Sequence, residues 1–547
     1  MRLHLSIQLR LVIGFFLLAA GITGCVEKPV PESLAPRVSV EPAQQITRTA
    51  AVLTGKVEAQ GSGTVSECEF RYGNTPDMSE RIACETWEAP QVQLENLQPG
   101  TTYYFCLEAG NGHQATQSEV LQFQTDPNAL PTVGAVSIVG QTPMSVILSC
   151  PLTDDGGEAI TEYGYLWGKE GEGENRESEA EWDEASGTFT LHLPDLEPLT
   201  AYHIQGFATN SLGRTCSEPL QFSTSNAISY LQPGSLPKLI HEKEKYAYTT
   251  LRIAAPLNGD DVRFLREMSG TTVTGEHTPG KIEVLNLGDS RIVSGGVNYS
   301  GSRFTANDTI GYGMFGNLPY LRELTLPQGA VYVENGAFGS ASTLERLVLP
   351  FELKEITASD ECPNLKEIYI TPTNGYYKTL DGLLYNKSGR ELVWYPQGKD
   401  SEELILSEQL DSIRSFALKG CKVKRVTIPE SVTEVGISAF ASSALEEVTF
   451  PQGLTHIRKG VLQECKQLRK VCLGKSTQYV GDYWIAHCPV KELYVYAEEP
   501  PFCSTNAFGY NESLFEQCIL YVPAASLSRY KYHNTWKKFL QILPCPE

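Results

Sequence analysis

Basic residues are in short supply. Lys and Arg number 44 against 65 Asp and Glu, a net charge of −21 over 547 residues. A phosphate backbone needs a basic footprint, so this deficit excludes nucleic acid as a partner. The same charge repels anionic lipid headgroups, so membrane attachment must come from something other than surface charge. Long apolar runs are also scarce, and beyond the N-terminus no segment is long and apolar enough to span a bilayer. Catalytic signatures are missing too. There is no His-Glu-x-x-His and no Gly-x-Ser-x-Gly, and Gly474-Lys475-Ser476 lacks the glycine five residues earlier that a phosphate loop requires. The nine histidines do not cluster, and among so many carboxylates no pair stands out for acid–base work. No paired Cys-x-x-Cys offers zinc ligands. The expectation is a chain with no catalytic residues, no metal and no cofactor. Hydrophobic residues at 41% and charged residues at 20% give a globular balance. The length exceeds what one hydrophobic core can fill, so about three or four domains are expected.

The N-terminus opens with Arg2 and Arg10 and an apolar run from Leu11 to Ile22, the length of a signal-peptide core. The run ends in Ile22-Thr23-Gly24-Cys25. A branched apolar residue, two small residues and a cysteine resemble the lipobox of bacterial lipoproteins. That resemblance implies removal of residues 1–24, lipidation of the Cys25 sulfur and anchoring at the bacterial outer membrane by acyl chains, each buried CH2 contributing roughly 0.8 kcal/mol. Residues 25–35, with Pro29 and Pro31, read as a tether. Val26-Glu27-Lys28 matches the acidic surface-export tag of some Gram-negative lipoproteins poorly, so the cell surface and the periplasmic face are both open.

A repeat offset by 99 positions follows: Leu97-Gln98-Pro99-Gly100-Thr101-Thr102-Tyr103 aligns with Leu196-Glu197-Pro198-Leu199-Thr200-Ala201-Tyr202, and Phe123 and Thr125 with Phe222 and Thr224. Short alternating segments such as Cys68–Tyr72 and Tyr163–Trp167 indicate strands of a sandwich. Leu-x-Pro-x-Thr-x-Tyr followed by Ala-x-Asn resembles the fibronectin type III domain over residues 36–126 and 129–225. The resemblance implies that Tyr103 and Tyr202 bond back to the preceding turn. No Arg-Gly-Asp occurs, and both domains are expected to be spacers. The acidic loop 170–184 is read as a solvated insertion, because its spacing is not that of a calcium loop; cation binding stays open.

From about Ile228 the pattern changes. Leu-x-x-Leu-x-Leu windows occur at Leu321/Leu324/Leu326, Leu344/Leu347/Leu349 and Leu365/Ile368/Ile370. They resume at Val423/Val426/Ile428, Leu445/Val448/Phe450, Leu468/Val471/Leu473 and Val490/Leu493/Val495, with starts 21 to 23 residues apart and a weaker copy at Leu404/Leu406. In phase with them, an apolar residue precedes a bulky one by five places, as in Val333/Phe338, Ile413/Leu418 and Val435/Phe440. One strand and one return segment per unit, stacked on a common core, make a solenoid with a parallel sheet. The windows, the endings Leu326-Pro327, Leu349-Pro350 and Ile428-Pro429, the hairpin opened by Asp381-Gly382-Leu383-Leu384-Tyr385 and the closing Leu520-Tyr521-Val522-Pro523 resemble the BspA-type leucine-rich repeat. The likeness covers roughly 250–547. The expected fold class is multidomain: two all-β sandwiches, then a repeat domain over 228–547 with an N-terminal cap at 228–300 and a C-terminal cap at 504–547. The cap is read to contain a helix over Asp260 to Met268.

Alternation along each window puts the leucines inside and the residues flanking the middle leucine on an exposed face. The first column is Glu323, Arg346, Glu367, Glu403, Arg425, Glu447, Lys470 and Glu492. The second is Thr325, Val348, Tyr369, Ile405, Thr427, Thr449, Cys472 and Tyr494. Two readings are open: a salt-bridge ladder between neighbouring strands, or a recognition stripe with Tyr369 and Tyr494 as aromatic anchors. Thirteen cysteines remain after Cys25, so at least one is unpaired within the chain. Cys362, Cys421, Cys465 and Cys488 share one slot in the repeat with Ser342 and Ser443, which marks a small turn site. In the first sandwich Cys68 is expected inward and Cys106 outward, which argues against a bridge between them. Asp308-Thr309-Ile310 and Asp411-Ser412-Ile413 resemble a short O-glycosylation motif, with Thr309 and Ser412 as acceptors. The family resemblance implies adhesion or capture of a host or bacterial surface protein. Glycan capture for nutrient uptake and an envelope scaffold are the alternatives.

Overall fold

A computed structural model describes residues 35–172, 175–240, 244–357, 361–509 and 511–546. The expected signal peptide, Cys25 and nearly all of the tether lie outside them. The first compact unit is an antiparallel sandwich. Arg37–Val40, Ala51–Ala59 and Gln91–Leu94 form one sheet. Glu80–Ala83, Glu67–Gly73, Thr102–Gly110 and Ala115–Gln117 form the other, with Leu121–Gln124 also on Thr102–Gly110. Leu53 and Leu94 from one sheet meet Phe70, Phe105 and Leu107 from the other in a single core. The Tyr103 hydroxyl accepts from Gln98 N at 2.9 Å, the bond back to the turn that the sequence implied. Cys68 packs inward against this core, as alternation predicts. Cys106 points away from that core but is fully buried rather than exposed, because Arg71 lies opposite it and reaches across to Glu108 at 3.5 Å.

The second unit holds the other sandwich and the repeats. Tyr202 repeats the corner, accepting from Glu197 N at 3.0 Å. Its sheet does not end at the sandwich. Ser137–Thr142 pairs antiparallel with Ile228–Tyr230, which pairs parallel with Thr250–Ala254. The sheet then runs on through Val284–Asn286, Glu323–Thr325, Arg346–Val348 and Glu367–Tyr369. A three-residue strand thus joins what the sequence reads as a spacer to the repeat sheet. The short stretch Ile228–Tyr230 has no periodicity of its own, and tertiary pairing decides its conformation.

The predicted helix spans Gly259–Met268. Asn258 caps it, its side chain accepting from Asp260 N and Asp261 N. Val262, Phe264, Leu265 and Met268 are buried. Two buried charges on this helix hold backbone on either side. The Asp261 carboxylate accepts from Gly234 N (2.6 Å), Leu236 N (3.0 Å) and Asn258 N (3.0 Å). Arg266 Nη1 donates to the carbonyls of Gly313 (2.7 Å), Met314 (3.1 Å) and Gly316 (3.0 Å). Burial lowers the Arg266 pKa to about 10, so it stays charged at neutral pH. The helix therefore satisfies orphan donors of the linker and orphan acceptors of the first coil together.

Every predicted window is a parallel strand, and every paired apolar residue marks a short return strand such as Tyr332–Val333, Ser412–Ile413 and Tyr479–Val480. The second parallel sheet runs Glu403–Ile405, Arg425–Thr427, Glu447–Thr449, Lys470–Leu473, Glu492–Val495, Ile519–Val522 and Gln541–Pro544. The closing segment thus adds two strands to it. Between the two parallel sheets lies the hairpin insertion, Tyr377–Leu380, Leu383–Asn386 and Glu391–Trp394, whose last strand pairs with Ser412–Ile413. Its side chains divide between two cores: Leu384, Val393 and Trp394 join the core on the N-terminal side, while Leu383, Tyr385, Leu392 and Tyr395 join the other.

The cysteine slot is a buried column. Cys465 Sγ donates to Phe440 O at 3.1 Å, and Cys488 Sγ to Leu462 O at 2.8 Å. Ser443 is buried in the same slot, 3.2 Å from Cys465 Sγ, whereas Ser342 is exposed.

Arg266→Met keeps an apolar stem but strands three carbonyls. The unfolding free energy of the repeat region should fall by about 2–4 kcal/mol in urea titrations followed by tryptophan fluorescence. A β-carbon at residue 259 would lie 1.8 Å from Val297 O, so Gly259→Ala should shift the same curve in the same direction.

Candidate binding face

The exposed face follows from strand alternation, and the structure places its columns largely as read. Glu323, Arg346, Glu367, Glu403, Arg425 and Glu447 are exposed, and Lys470 and Glu492 are half-buried. Arg346 sits between two carboxylates, 3.8 Å from Glu323 and 3.5 Å from Glu367. Arg425 meets Glu403 at 2.5 Å. A second ladder runs one residue earlier in each strand: Arg322 to Glu345 at 2.6 Å, Lys366 to Glu345 at 2.8 Å and Lys424 to Glu402 at 2.6 Å. In-register parallel pairing sets these contacts, since it places equivalent residues of successive coils side by side.

The face is not continuous. Glu367 and Glu403 were read as neighbours in one column, yet they belong to different sheets. The hairpin stands between them: Ile368 N donates to Gly382 O at 3.2 Å, and Lys399 Nζ to Asp381 O at 2.6 Å. Glu323, Thr325, Arg346, Val348, Glu367 and Tyr369 therefore form one half, and Arg425, Thr427, Glu447, Thr449, Lys470 and Tyr494 the other.

In the second column Thr325 and Val348 are half-buried and Thr427 and Thr449 exposed, while Tyr369 is 42% and Ile405 76% exposed. Cys472 departs from the reading. It is only 5% exposed, because Thr449 and Tyr496 close over its thiol, and burial raises its pKa. Arg425, Thr427, Glu430, Glu447 and Thr449 line a shallow hollow of about 340 Å³.

Tyr494 lies in an aromatic group that the column alone did not reveal. Its ring stacks on Tyr521 with centroids 4.5 Å apart and planes 12° apart, and Tyr496 lies 6.2 Å away. Lys470 Nζ sits 5.2 Å from the Tyr494 ring centroid, a cation–π distance. The Tyr494 hydroxyl donates to Glu492 at 3.2 Å, and burial, reinforced by the Glu492 charge, pushes its pKa up to about 12. Both missed tyrosines were legible. Tyr496 follows Tyr494 by two residues, and Tyr521 occupies the same place in Leu520-Tyr521-Val522, which the sequence reading assigned to a closing cap.

On the return strands His456, Tyr479 and Phe502 stack in register, with centroids 5.7 and 6.0 Å apart. His456 lies in the return strand His456–Ile457. Thr309 and Ser412 are half-buried on return strands, away from the exposed columns. The acidic segment is not a loop throughout: Arg176–Glu179 pairs with Glu162–Lys169 and Glu181–Asp183 with Thr188–Leu193, because backbone pairing at the sheet edges needs no apolar periodicity, and Glu177 meets Arg214 at 3.2 Å. Among the described residues no three His, Cys, Asp or Glu side chains converge to hold a metal, and no helix is long and apolar enough to cross a membrane.

Stacked coils of one parallel strand and one return segment define a leucine-rich-repeat solenoid. Residues 303–383 and 397–515 match the BspA type leucine rich repeat region, in six copies. Solved structures with a likeness include the pneumococcal vaccine antigen PcpA, at 17% identity over 60% of this chain and 86% of that one, with a TM-score of 0.37. A leucine-rich repeat protein from Eubacterium ventriosum shares 15% identity over 62% and 82% of the chains, with a TM-score of 0.34. The FN1–FN3 domains of chicken CNTN1 share 16% identity over 36% and 68%, with a TM-score of 0.17. No curated protein matches the sequence.

The ladder carries a pH dependence of known sign. Hydrogen bonds from Lys366 and Arg322 hold the Glu345 carboxyl below its usual range. A depressed folded pKa contributes stability above the unfolded value, and the contribution is lost as pH falls through the folded value. Wild type should therefore lose stability relative to Glu345→Gln on acidification below the ordinary glutamate range, with no differential change in mild alkali. Paired acid and alkaline unfolding curves check this.

Proposed function

We propose that the protein is a non-catalytic lipoprotein that presents the exposed strand face of its repeats to a protein partner at the cell surface. The observation that carries this reading is the set of apolar and aromatic groups on the two halves of that face: exposed Tyr369 on one, and exposed Ile405, Tyr496 and Leu543 with half-buried Tyr494 on the other. A salt-bridge ladder alone needs none of them. An exposed branched aliphatic such as Ile405 offers apolar area for burial by a partner. The charged ladders beside them present alternating signs, which sets register and partner choice more than affinity. Aromatic residues at such positions carry disproportionate binding energy. The match of the repeats to the BspA type region is consistent with a binding or adhesive role.

The two sandwiches, fibronectin type III-like in their tyrosine corners, come between Cys25 and the repeats in the sequence. Incorporation of labelled palmitate, abolished by Cys25→Ala with release of the protein from membranes, tests the anchor. Protease treatment of intact cells, with periplasmic controls, tests the side on which the repeats lie. Loss of the repeat region places it outside, and protection moves the role to an envelope scaffold.

A second reading has one observation in its favour. The Tyr494–Tyr521 stack beside Lys470 and Glu492 suits a sugar ring, which would lie on an aromatic surface and bond to flanking polar groups. Screening the purified full-length chain against protein and glycan arrays separates the two. On the protein reading, Ile405→Asp should weaken binding by about tenfold or more without lowering the unfolding midpoint, and Tyr494→Ala should weaken it as much while lowering the midpoint slightly through loss of the stack on Tyr521. Glycan binding lost in Tyr494→Ala but intact in Ile405→Asp would favour the sugar.

A further inference from the structure

Cys465 lies beside Cys488 in this fold and Cys68 beside Cys84, in very different surroundings. Cys465 and Cys488 are adjacent members of the buried column, each already donating to a backbone carbonyl and closed to solvent. Cys68 and Cys84 sit in the first sandwich, both half-buried. Glu67–Gly73 and Glu80–Ala83 pair antiparallel with Glu69 opposite Ala83, so the next position along the register sets Cys68 opposite Cys84. Cys84 N donates to Cys68 O at 2.9 Å, which fixes that juxtaposition. Both side chains pack on the same face, against the inter-sheet core. Directly opposed residues of antiparallel strands have α-carbons about 4.5–5.5 Å apart. That lies inside the span of about 4.4–6.8 Å that a disulfide bridges. The Cys84 thiol donates toward Cys68, which lowers the Cys68 pKa and raises its own. Either sulfur can attack first, with the other resolving.

We infer that Cys68 and Cys84 form a cross-strand disulfide in the exported protein, while Cys465 and Cys488 remain thiols. The oxidant is a disulfide, either an oxidised dithiol oxidoreductase or a low-molecular-weight one. With Cys68 first, its thiolate attacks one sulfur of the oxidant, breaking the oxidant's S–S bond and releasing one thiolate, with a mixed disulfide left on Cys68. The Cys84 thiolate then attacks the Cys68 sulfur and releases the second. One disulfide is consumed and one formed, and the two protons lost by the cysteines pass to the two leaving thiols. The bridge ties Glu80–Ala83, an edge strand of its sheet, to the strand beside it. This inference rests on the export reading for its oxidising compartment, and its test keeps the two apart.

Full-length protein is reduced, oxidised with glutathione disulfide, blocked with N-ethylmaleimide in denaturant and mapped by mass spectrometry without reductant. The expected product is a Cys68–Cys84 peptide pair two hydrogens lighter than its thiols, with Cys465 and Cys488 carrying the maleimide. Cys84→Ser should leave Cys68 alkylated, and Cys106→Ser should leave the pair unchanged. In the oxidised wild type, adding reductant should lower the melting transition of the first sandwich by on the order of 10 °C. Alkylation of both Cys68 and Cys84 after oxidation, linkage of either to another cysteine, or equal bridging of Cys465 to Cys488 would overturn the inference. The same map on protein taken from cells reads the compartment. The bridge formed in vitro but absent from cells would support the pairing and count against export.

Discussion

A stack of coils has two open ends, and each end exposes an apolar interior together with a row of unpaired backbone donors and acceptors. Closing the first end is what the rest of the repeat region depends on. Two devices do it. Ile228–Tyr230 hydrogen-bonds on one edge to the sandwich strand Ser137–Thr142 and on the other to Thr250–Ala254. Beside it, the Gly259–Met268 helix lays Val262, Leu265 and Met268 over the first coil's interior and uses Asp261 and Arg266 to satisfy backbone groups that would otherwise be buried alone. The second sandwich is thus a structural end-piece of the solenoid as well as a domain in its own right.

Once that end is closed, each coil templates the next. The register that buries the leucines also brings Arg346 between Glu323 and Glu367 and lays Tyr494 on Tyr521. Surface chemistry here is a by-product of core register. A one-residue slip would expose the leucines and bury the charges together, so the two columns are as strongly specified as the core.

Much of this could be read from the residues. The windows, the return strands, the helix at 259–268 and the tyrosine corners each rest on local periodicity or a local hydrogen bond, and local signals survive in the sequence. The failures share one cause. Ile228–Tyr230 is a strand only because two neighbours pair with it. Cys106 and Cys472 are on the predicted side of their strands, yet Arg71 and Tyr496 cover them, and alternation reports direction without cover. The hairpin at Asp381 was visible, but its place inside the stack was not, because a strand apolar on both faces reads the same wherever it is buried. That placement alone divides the candidate face, separating Glu367 from Glu403.

The hairpin has a thermodynamic consequence. In an ordinary solenoid every coil meets its neighbour through one interface, and stability adds along the line. Here Leu384, Val393 and Trp394 serve one core while Leu383, Tyr385 and Leu392 serve the other, so a single element is a party wall between two buildings. Melting either side strips one face of the wall and raises the free energy of the other side as well. Fraying that begins at the far coils can travel inward only to this wall, where stopping and continuing become a single decision for both halves.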